Sequence, residues 1–277
     1  MAKTIDCFIF FNELDLLEIR LHELVGVVDE FMLIEGTRTH QNKPKPLFFE
    51  EAKDKFSDFL PKINHVVVDK WPGFFFNFRK KGSHFYENWQ REFPLKIIKG
   101  YQEDTNIIFS DVDEIPKASE VEKYKDTEEI KIFEQRYYNY WLNNICTYYD
   151  TNGRDLPAQK NKNGLGFWRG SVMVPRKRIK TMNKTRLYRD LQDGPIKVIE
   201  DGGWHFSYIG NAERVKKKLQ SYAHKEYDAS LEEIAEMMKQ GTSVIPDEDT
   251  LFEIREPDSS LPKYVLENQE RFKHILA

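Results

Sequence analysis

Short apolar runs alternate with amphipathic stretches along the first 116 residues of the chain. The apolar runs have the length and the β-branched or aromatic content of buried strands, and they lie at 5–11, 30–35, 63–68 and 107–110. The stretches between them, at 14–24, 48–60 and 83–99, have helical composition. Asn12 stands at the N-cap position of the first helix, and Pro94 is expected to break or kink the last. This alternation predicts an α/β fold with a central, mostly parallel sheet flanked by helices.

The pattern is weaker in the middle of the chain and becomes helical towards its end. Further strands are predicted at 128–133, 171–174 and 196–199. Helices are predicted at 212–224, 231–240 and 262–276. Asn211 caps the first of these helices, and a capping box that starts at Ser230 opens the second, which Gly241 ends. Aromatic residues cluster between positions 137 and 149, where they either line a groove that binds sugar rings or belong to the core and its rim.

Composition narrows the class of protein. The 277 residues are 40% apolar, which is enough for a substantial core. Because 42 basic residues oppose 46 acidic ones, no overall basic field draws the chain to nucleic acid or to a membrane surface. Cys7 and Cys146 are too few for a disulfide framework or a cysteine zinc site, which favours a reducing compartment. No apolar run is long enough for a signal peptide or a membrane span, so we expect a cytoplasmic protein.

The segment from Thr105 to Pro116 contains the strongest candidate chemistry. An apolar strand ends there in three acids, Asp111, Asp113 and Glu114. Residues two apart on an extended chain point the same way, so Asp111 and Asp113 are predicted to converge on one point. Two carboxylates that close together need a counter-charge, and a divalent cation that carries a diphosphate supplies it. The alternative is a solvated acidic loop after a strand.

A second polar group follows the predicted strand at 196–199. Glu200, Asp201, two glycines and His205 lie close together there, and the glycines permit a close approach of the backbone. His205 is either a hydrogen-bonded core residue or a ligand, since it has aromatic as well as acidic neighbours. The glycine-punctuated loop at 161–170 either presents backbone amides to a phosphate or an acceptor, or is a plain turn.

Several segments of the chain, in the same order, resemble glycosyltransferase family 17. They are 12–24 (NELDLLEIRLHEL), 111–116 (DVDEIP), 203–207 (GWHFS) and 262–272, which begins with PKYVL and ends with RF. The resemblance implies a GT-A fold with a single domain over residues 1–277. Within it we expect a nucleotide-binding half at 1–116, an acceptor and metal-site half at 117–210 and C-terminal helices at 211–277.

The resemblance also implies the reaction. It implies an inverting glycosyltransferase that transfers a sugar, GlcNAc from UDP-GlcNAc, to a glycan acceptor in β linkage. Mn²⁺ or Mg²⁺ is expected at the donor diphosphate. We expect the protein to lack the membrane anchor and stem of the animal Golgi enzymes, because no apolar run of the sequence is long enough for an anchor. We therefore expect a bacterial or viral relative that acts on a glycan other than an N-glycan.

Roles for individual residues follow from the same resemblance. Asp113 is the expected metal ligand, Asp111 is expected at the ribose or at the metal and its water, and His205 matches a late histidine ligand. The ends of the first two strands are expected to hold uridine, and the helix before the acidic strand is expected to reach the diphosphate. The residues concerned are Phe11, Asn12, Glu13, Glu35, Gly36, Thr37 and, for the diphosphate, Arg91.

Inverting transfer also needs a base that takes the proton of the acceptor hydroxyl. Asp201 and Asp193 are the first candidates because glycines flank them, and Asp190 and Glu114 come next.

Two other functions stay open. A phosphatase of the haloacid dehalogenase type also places Asp-x-Asp at a strand end, although three predicted strands precede the motif here. A catalytically silent sugar-binding module would use the aromatic cluster.

Overall fold

The described part of the chain forms one sheet of eleven strands. The computed structural model describes residues 2–72, 84–150, 158–160, 165–190, 194–221, 229–245 and 249–277. The strands are β1 (Thr4–Phe10), β2 (Glu30–Gly36), β3 (Ile63–Val68), β4 (Asn106–Asp111), β5 (Glu114–Pro116), β6 (Ile130–Asn139), β7 (Asn144–Asp150), β8 (Ala158–Lys160), β9 (Gly166–Pro175), β10 (Ile196–Ser207) and β11 (Asp249–Ile254).

Helices connect and cover these strands. The α-helices are α1 (Leu14–Leu24), α2 (Phe48–Ala52), α3 (Phe85–Glu92), α4 (Leu95–Ile98), α5 (Ala118–Tyr124), α6 (Met182–Leu187), α7 (Ala212–Leu219), α8 (Leu231–Gln240), α9 (Lys263–Glu267) and α10 (Gln269–Phe272). Lys53–Lys62, Arg176–Arg178 and Tyr188–Asp190 are 3₁₀ helices. Among the described residues, none of the helices combines the length and the apolarity that a membrane crossing needs.

The sheet joins a parallel part to an antiparallel part. Its strand order is β11-β7-β6-β9-β4-β1-β2-β3, with β5, β8 and β10 paired alongside this path. Strands β4, β1, β2 and β3 pair in parallel, whereas β9 runs antiparallel to both β4 and β6. Strand β10 pairs in parallel with β6 and antiparallel with β5. The predicted α/β class with a helix-flanked sheet is confirmed, but the sheet is mixed, because parallel pairing is concentrated where the chain alternates strand and helix.

Local sequence signals place several elements correctly. Strand β3 occupies its predicted range, and the helical stretch at 83–99 appears as α3 and α4 with Pro94 between them. Ser230 opens α8 with the predicted capping box, and Gly241 ends that helix in the left-handed conformation, with φ of 66°. Asn211 caps α7 through its side chain, although the helix ends at Leu219.

Other expected elements differ from the structure. Asn12 is not the N-cap of α1, since Glu13 occupies that position and accepts hydrogen bonds from the backbone N–H groups of Phe11 and Asn12. The helix expected at 262–276 is divided into α9 and α10 at Asn268, whose φ of -129° is not helical. Strand β10 continues past Ile199 through an irregularity in its pairing, because the glycines after it permit a bulge.

The parallel strands are buried on both faces. On one face, Phe8 and Phe10 of β1 pack with the leucines of α1 and with Phe49. On the other face, Ile5 and Cys7 pack with apolar residues of β4 and β9. Double burial explains why these strands appear in the sequence as continuous apolar runs rather than as alternating ones.

A charged residue lies within this core. Arg20 of α1 is fully buried, and its guanidinium forms a bidentate pair with Asp6 of β1 at N–O distances of 2.6 and 2.7 Å. It also donates to the Ser110 hydroxyl at 2.8 Å and to the carbonyl oxygens of Asp111 and Glu114 at 3.1 and 2.8 Å. One guanidinium therefore ties α1 and β1 to the chain between β4 and β5.

Removal of this guanidinium should destabilise the fold strongly. Arg20→Ala leaves the Asp6 carboxylate buried without its counter-charge, a change that typically costs about 3 to 5 kcal/mol. We expect the melting temperature to fall by roughly 6 to 20 °C. Arg255→Ala is the matched control, because the Arg255 side chain is 47% exposed and pairs with Glu253 at the surface. If the two variants lowered the melting temperature by the same amount, the buried pair would not be important for stability.

Candidate active site

The acidic motif forms a turn between two strands. Asp111 is the last residue of β4, Val112 and Asp113 form the turn, and Glu114 begins β5. The expectation of an extended chain through Asp113 is therefore wrong, because the chain turns where the Val112 side chain enters the core. Asp111 and Asp113 nevertheless line the same cleft. We call residues Asp111–Glu114 the acidic turn.

Two guanidinium groups hold the Asp111 carboxylate. Arg186 of α6 lies 2.9 Å from its Oδ2, and Arg91 of α3 lies 3.2 Å from the same atom. Burial alone would raise the pKa of Asp111, but the two guanidinium groups outweigh it and hold that pKa well below its usual range. Arg91, predicted to reach a diphosphate, is thus in direct contact with the acidic turn.

A lysine binds the second aspartate. Lys218, near the end of α7, places its ammonium 2.7 Å from Asp113 Oδ2 and 3.3 Å from Glu13 Oε1. Burial raises the pKa of Asp113 to about 6, against the opposite effect of Lys218. The two aspartates of the motif therefore differ in how firmly they hold a negative charge.

Glu114 lies deeper than either aspartate and is 1% exposed. Its carboxylate accepts hydrogen bonds from the Trp168 indole at 2.7 Å and from both terminal nitrogens of Arg186. It also accepts from the backbone N–H of Asp111 at 2.9 Å, which closes the turn. Arg186 outweighs the effect of burial and lowers the pKa of Glu114. Arg186 was not among the predicted site residues, because it lies in a basic segment without a motif.

His205 lies on β10 directly beside Glu114 of β5. Its ring stacks on Tyr137 and on Trp168, with centroid distances of 5.0 and 4.7 Å. Burial lowers the pKa of His205 to about 3, so the imidazole is neutral at physiological pH. Its Nδ1 atom is buried and has no hydrogen-bond partner among the described residues.

The acidic turn opens onto a cleft at the carboxyl ends of β1, β2 and β4. We call it the donor cleft, because the family resemblance predicts a donor site at this edge of the sheet. Open α/β sheets bind ligands at this edge. Of the predicted site residues, Phe11, Glu13, Asp111 and Asp113 line the cleft. The sequence analysis missed other lining residues, which follow the end of β2 or lie on α3: Arg38, Thr39, His40, Lys45, Glu87 and Gln90.

Glu35, Gly36 and Thr37 lie behind the wall of this cleft. Glu35 is fully buried and binds the Lys45 ammonium at 3.0 Å. A Cβ atom at Gly36 would lie 2.9 Å from the Trp71 ring, and the Thr37 hydroxyl accepts a hydrogen bond from the Trp71 indole at 3.0 Å. Glu35 therefore positions a lysine that lines the cleft, whereas Gly36 and Thr37 pack against Trp71.

The candidate bases are placed differently from one another. Asp201 lies in the irregular part of β10 with φ of 51°, and its carboxylate binds Arg136 at 2.6 Å and Lys117 at 2.5 Å. This site is separate from the acidic turn. Asp190 ends a 3₁₀ helix, and Asp193 lies outside the described residues.

In the part of the chain that the structure describes, no set of three or more His, Cys, Asp or Glu side chains is placed to hold a metal ion. The carboxylates of the acidic turn are instead paired with cationic side chains, among them Arg91, Arg186 and Lys218.

A family model and curated relatives both identify similarity to glycosyltransferases. The model of glycosyltransferase family 17 matches residues 1–148, which include β4 and the acidic turn. The beta-1,4-mannosyl-glycoprotein 4-beta-N-acetylglucosaminyltransferases of Rattus norvegicus and Homo sapiens are each 25% identical to this chain over 96% of its length. The alignments cover 53% of each relative, so the chain spans about half the length of the curated relatives that it matches.

Among solved structures, the inositol-1-phosphate CTP transferase from T. maritima is similar over 100% of this chain and 98% of its own, with 13% identity and a TM-score of 0.38. The family match covers more than half of the sequence and contains the strand that ends in the acidic turn. The chain therefore belongs to glycosyltransferase family 17.

Proposed function

We propose that the protein is a metal-dependent, inverting glycosyltransferase that transfers GlcNAc from UDP-GlcNAc to a glycan acceptor in β linkage. The donor cleft supports this most directly, because the acidic turn lines it with Asp111 and Asp113 at the ligand-binding edge of the sheet. Family membership supports sugar transfer. The activity named for the two mammalian relatives supports GlcNAc as the transferred sugar.

The donor cleft offers groups that suit a uridine diphosphate. Phe11 contributes an aromatic ring, and the Lys45 ammonium lies 5.5 Å from the centroid of that ring. Arg38 lines the same cleft. An aromatic ring can pack against a base, and cationic side chains bind phosphate oxygens by charge-assisted hydrogen bonds. Lys45 is held in place by Glu35, so the predicted uridine-binding strand end would act through the lysine.

Side chains at and beside the acidic turn are of the chemical types that bind divalent cations, although the described residues form no arranged set of three ligands. Asp111 and Asp113 provide carboxylate oxygens, and His205 provides a neutral imidazole whose buried Nδ1 has no partner among the described residues. These are ligand types that Mn²⁺ takes in proteins. A bound ion would balance the charge that develops on the departing diphosphate. Lys218 binds Asp113 at 2.7 Å, so a metal at Asp113 would share that carboxylate with the lysine or displace it.

The neutral state of His205 generates a test by pH. The unfolded chain takes up a proton at His205 below its usual pKa of 6.5, whereas the folded protein, with a pKa of about 3, does not. This contribution to stability is present above pH 6.5 and is lost as the pH falls towards 3. Between pH 7.5 and 5, the wild type should lose about 1 to 2 kcal/mol more unfolding free energy than His205→Phe. Urea denaturation at both pH values measures this, and equal losses would contradict a buried neutral histidine.

Donor binding generates a second test. UDP should stabilise the protein only with a divalent metal, because the diphosphate otherwise faces the carboxylates of Asp111 and Asp113. Ligand at about a hundred times its dissociation constant adds roughly 2.7 kcal/mol, which corresponds to about 5 to 10 °C in melting temperature. Melts with UDP, with Mn²⁺, with both and with both plus EDTA measure this shift, and ADP and GDP are controls. Asp113→Asn should lose the shift that depends on metal.

Two outcomes of these melts would overturn parts of the proposal. Equal stabilisation by UDP in EDTA would assign the counter-charge to Lys218 and the arginines of the site rather than to a metal. No shift with any nucleotide diphosphate would favour a catalytically silent sugar-binding module.

The proton acceptor belongs to the same proposal, with Asp201 and Asp193 as its candidates. Arg136 and Lys117 already occupy the Asp201 carboxylate, so an acceptor hydroxyl would have to displace one of them. We therefore expect Asp193→Asn to lower kcat at saturating donor by about 10² to 10⁴-fold, as loss of a general base does. Asp201→Asn should lower kcat less than roughly tenfold and mainly reduce the melting temperature. If neither variant lost activity, Asp190 and Glu114 would be the next bases to test.

A further inference from the structure

A second cleft adjoins the donor cleft, since Glu13 lines both. The Lys218 ammonium lies between Glu13 and Asp113 at the junction of the two clefts. We call the second one the basic cleft, because its lining includes five cationic side chains: Lys55, Arg214, Lys217, Lys218 and Arg271. A molecule bound there would lie beside the sugar end of a donor that fills the first cleft.

Part of this positive charge is balanced within the protein. Arg214 and Arg271 lie 3.1 and 3.5 Å from the Asp15 carboxylate. Lys218 is balanced by the acids at the junction. Lys55 and Lys217 are exposed, and neither forms an ion pair with another described residue. The basic cleft therefore presents two positive charges that a ligand can balance.

An aromatic ring separates the two clefts. Phe48 lines the basic cleft and packs edge to face on Phe11 of the donor cleft, with 5.7 Å between ring centroids. The Lys217 ammonium lies 5.6 Å from the centroid of the Phe48 ring. Sugar rings pack their C–H faces on aromatic side chains. A sugar at Phe48 would therefore have its substituents within reach of the Lys217 ammonium.

We propose that the basic cleft binds the acceptor, and that the acceptor is a glycan with an anionic substituent, either a phosphate or a carboxylate. The identification of this cleft with the acceptor rests on the proposed function, because it requires a donor in the neighbouring cleft. The charge preference rests on Lys55 and Lys217. Phe48 provides the sugar contact.

Three monosaccharide probes test the charge preference. Methyl mannoside is neutral, mannose 6-phosphate carries a phosphate, and methyl glucuronide carries a carboxylate. Their dissociation constants are measured by ligand-observed NMR with saturating UDP and Mn²⁺, which keeps the phosphate probe out of the donor cleft. Exposed ion pairs contribute up to about 1 kcal/mol each, so at least one charged probe should bind roughly three- to tenfold more tightly than the neutral one. The preferred probe distinguishes a phosphate-bearing acceptor from a carboxylate-bearing one.

Variants assign this preference to the basic cleft. The double variant Lys55→Gln with Lys217→Gln should bind charged and neutral probes equally. Lys239→Gln is the matched control, because Lys239 is exposed at the end of α8 and does not line the cleft, and it should keep the preference. Equal binding of all three probes by the wild type would overturn the inference. A preference that survives in the double variant would overturn it as well.

Melts and probe binding, measured on the same protein, test the proposed function and this inference separately. Melts with UDP and Mn²⁺ measure the donor site alone. Stabilisation by UDP without a charge preference would overturn only the anionic acceptor. A charge preference that depends on Lys55 and Lys217 would support the basic cleft as an anion-binding sugar site even if UDP failed to bind, and in that case the transferase proposal would fail instead.

Discussion

The contact between Arg20 and Asp6 determines the shape of the site. The guanidinium is fully buried, and it binds both the Asp6 carboxylate and the backbone carbonyl oxygens of Asp111 and Glu114. Because these carbonyl groups face inward to the arginine, the carboxylates of the acidic turn project to other partners. The planar guanidinium donates in several fixed directions at once, which a lysine ammonium cannot reproduce. The core of the protein and the geometry of its candidate site thus depend on one side chain.

Closely spaced carboxylates coexist at the turn because each of them pairs with a cationic side chain. Asp111 lies against two guanidinium groups, which hold its pKa below the usual range, whereas burial raises the pKa of Asp113 to about 6 beside a single ammonium. Environments that separate the pKa values of neighbouring acids allow them different roles. Asp111 keeps its charge at physiological pH, and the charge on Asp113 depends on the cation that accompanies it.

Sequence reasoning succeeded where the signal is local. The capping box at Ser230 and the apolar runs of the parallel strands need only neighbouring residues, and the acidic turn followed from its position at a strand end. It missed Arg20 and Arg186, because their partners are distant in the chain and arginines usually lie at the surface. The sequence predicts Glu35 at a uridine site, but in the structure Glu35 is buried behind Lys45. The direction of a side chain at a strand end depends on the chain that follows, which the strand pattern does not predict. His205 was left open between core and ligand, and the structure gives it features of both, with stacked rings around it and a buried nitrogen without a partner among the described residues.

The partners of the acidic turn have a consequence for synthesis of the chain. Lys218 follows Asp113 by 105 positions, and Arg186 follows Asp111 by 75. A ribosome therefore releases Arg91 before Asp111, but it releases Arg186 and Lys218 long after the carboxylates that they bind. During that interval the nascent carboxylates are hydrated and repel one another, and the complete set of ion pairs can form only after residue 218 has emerged.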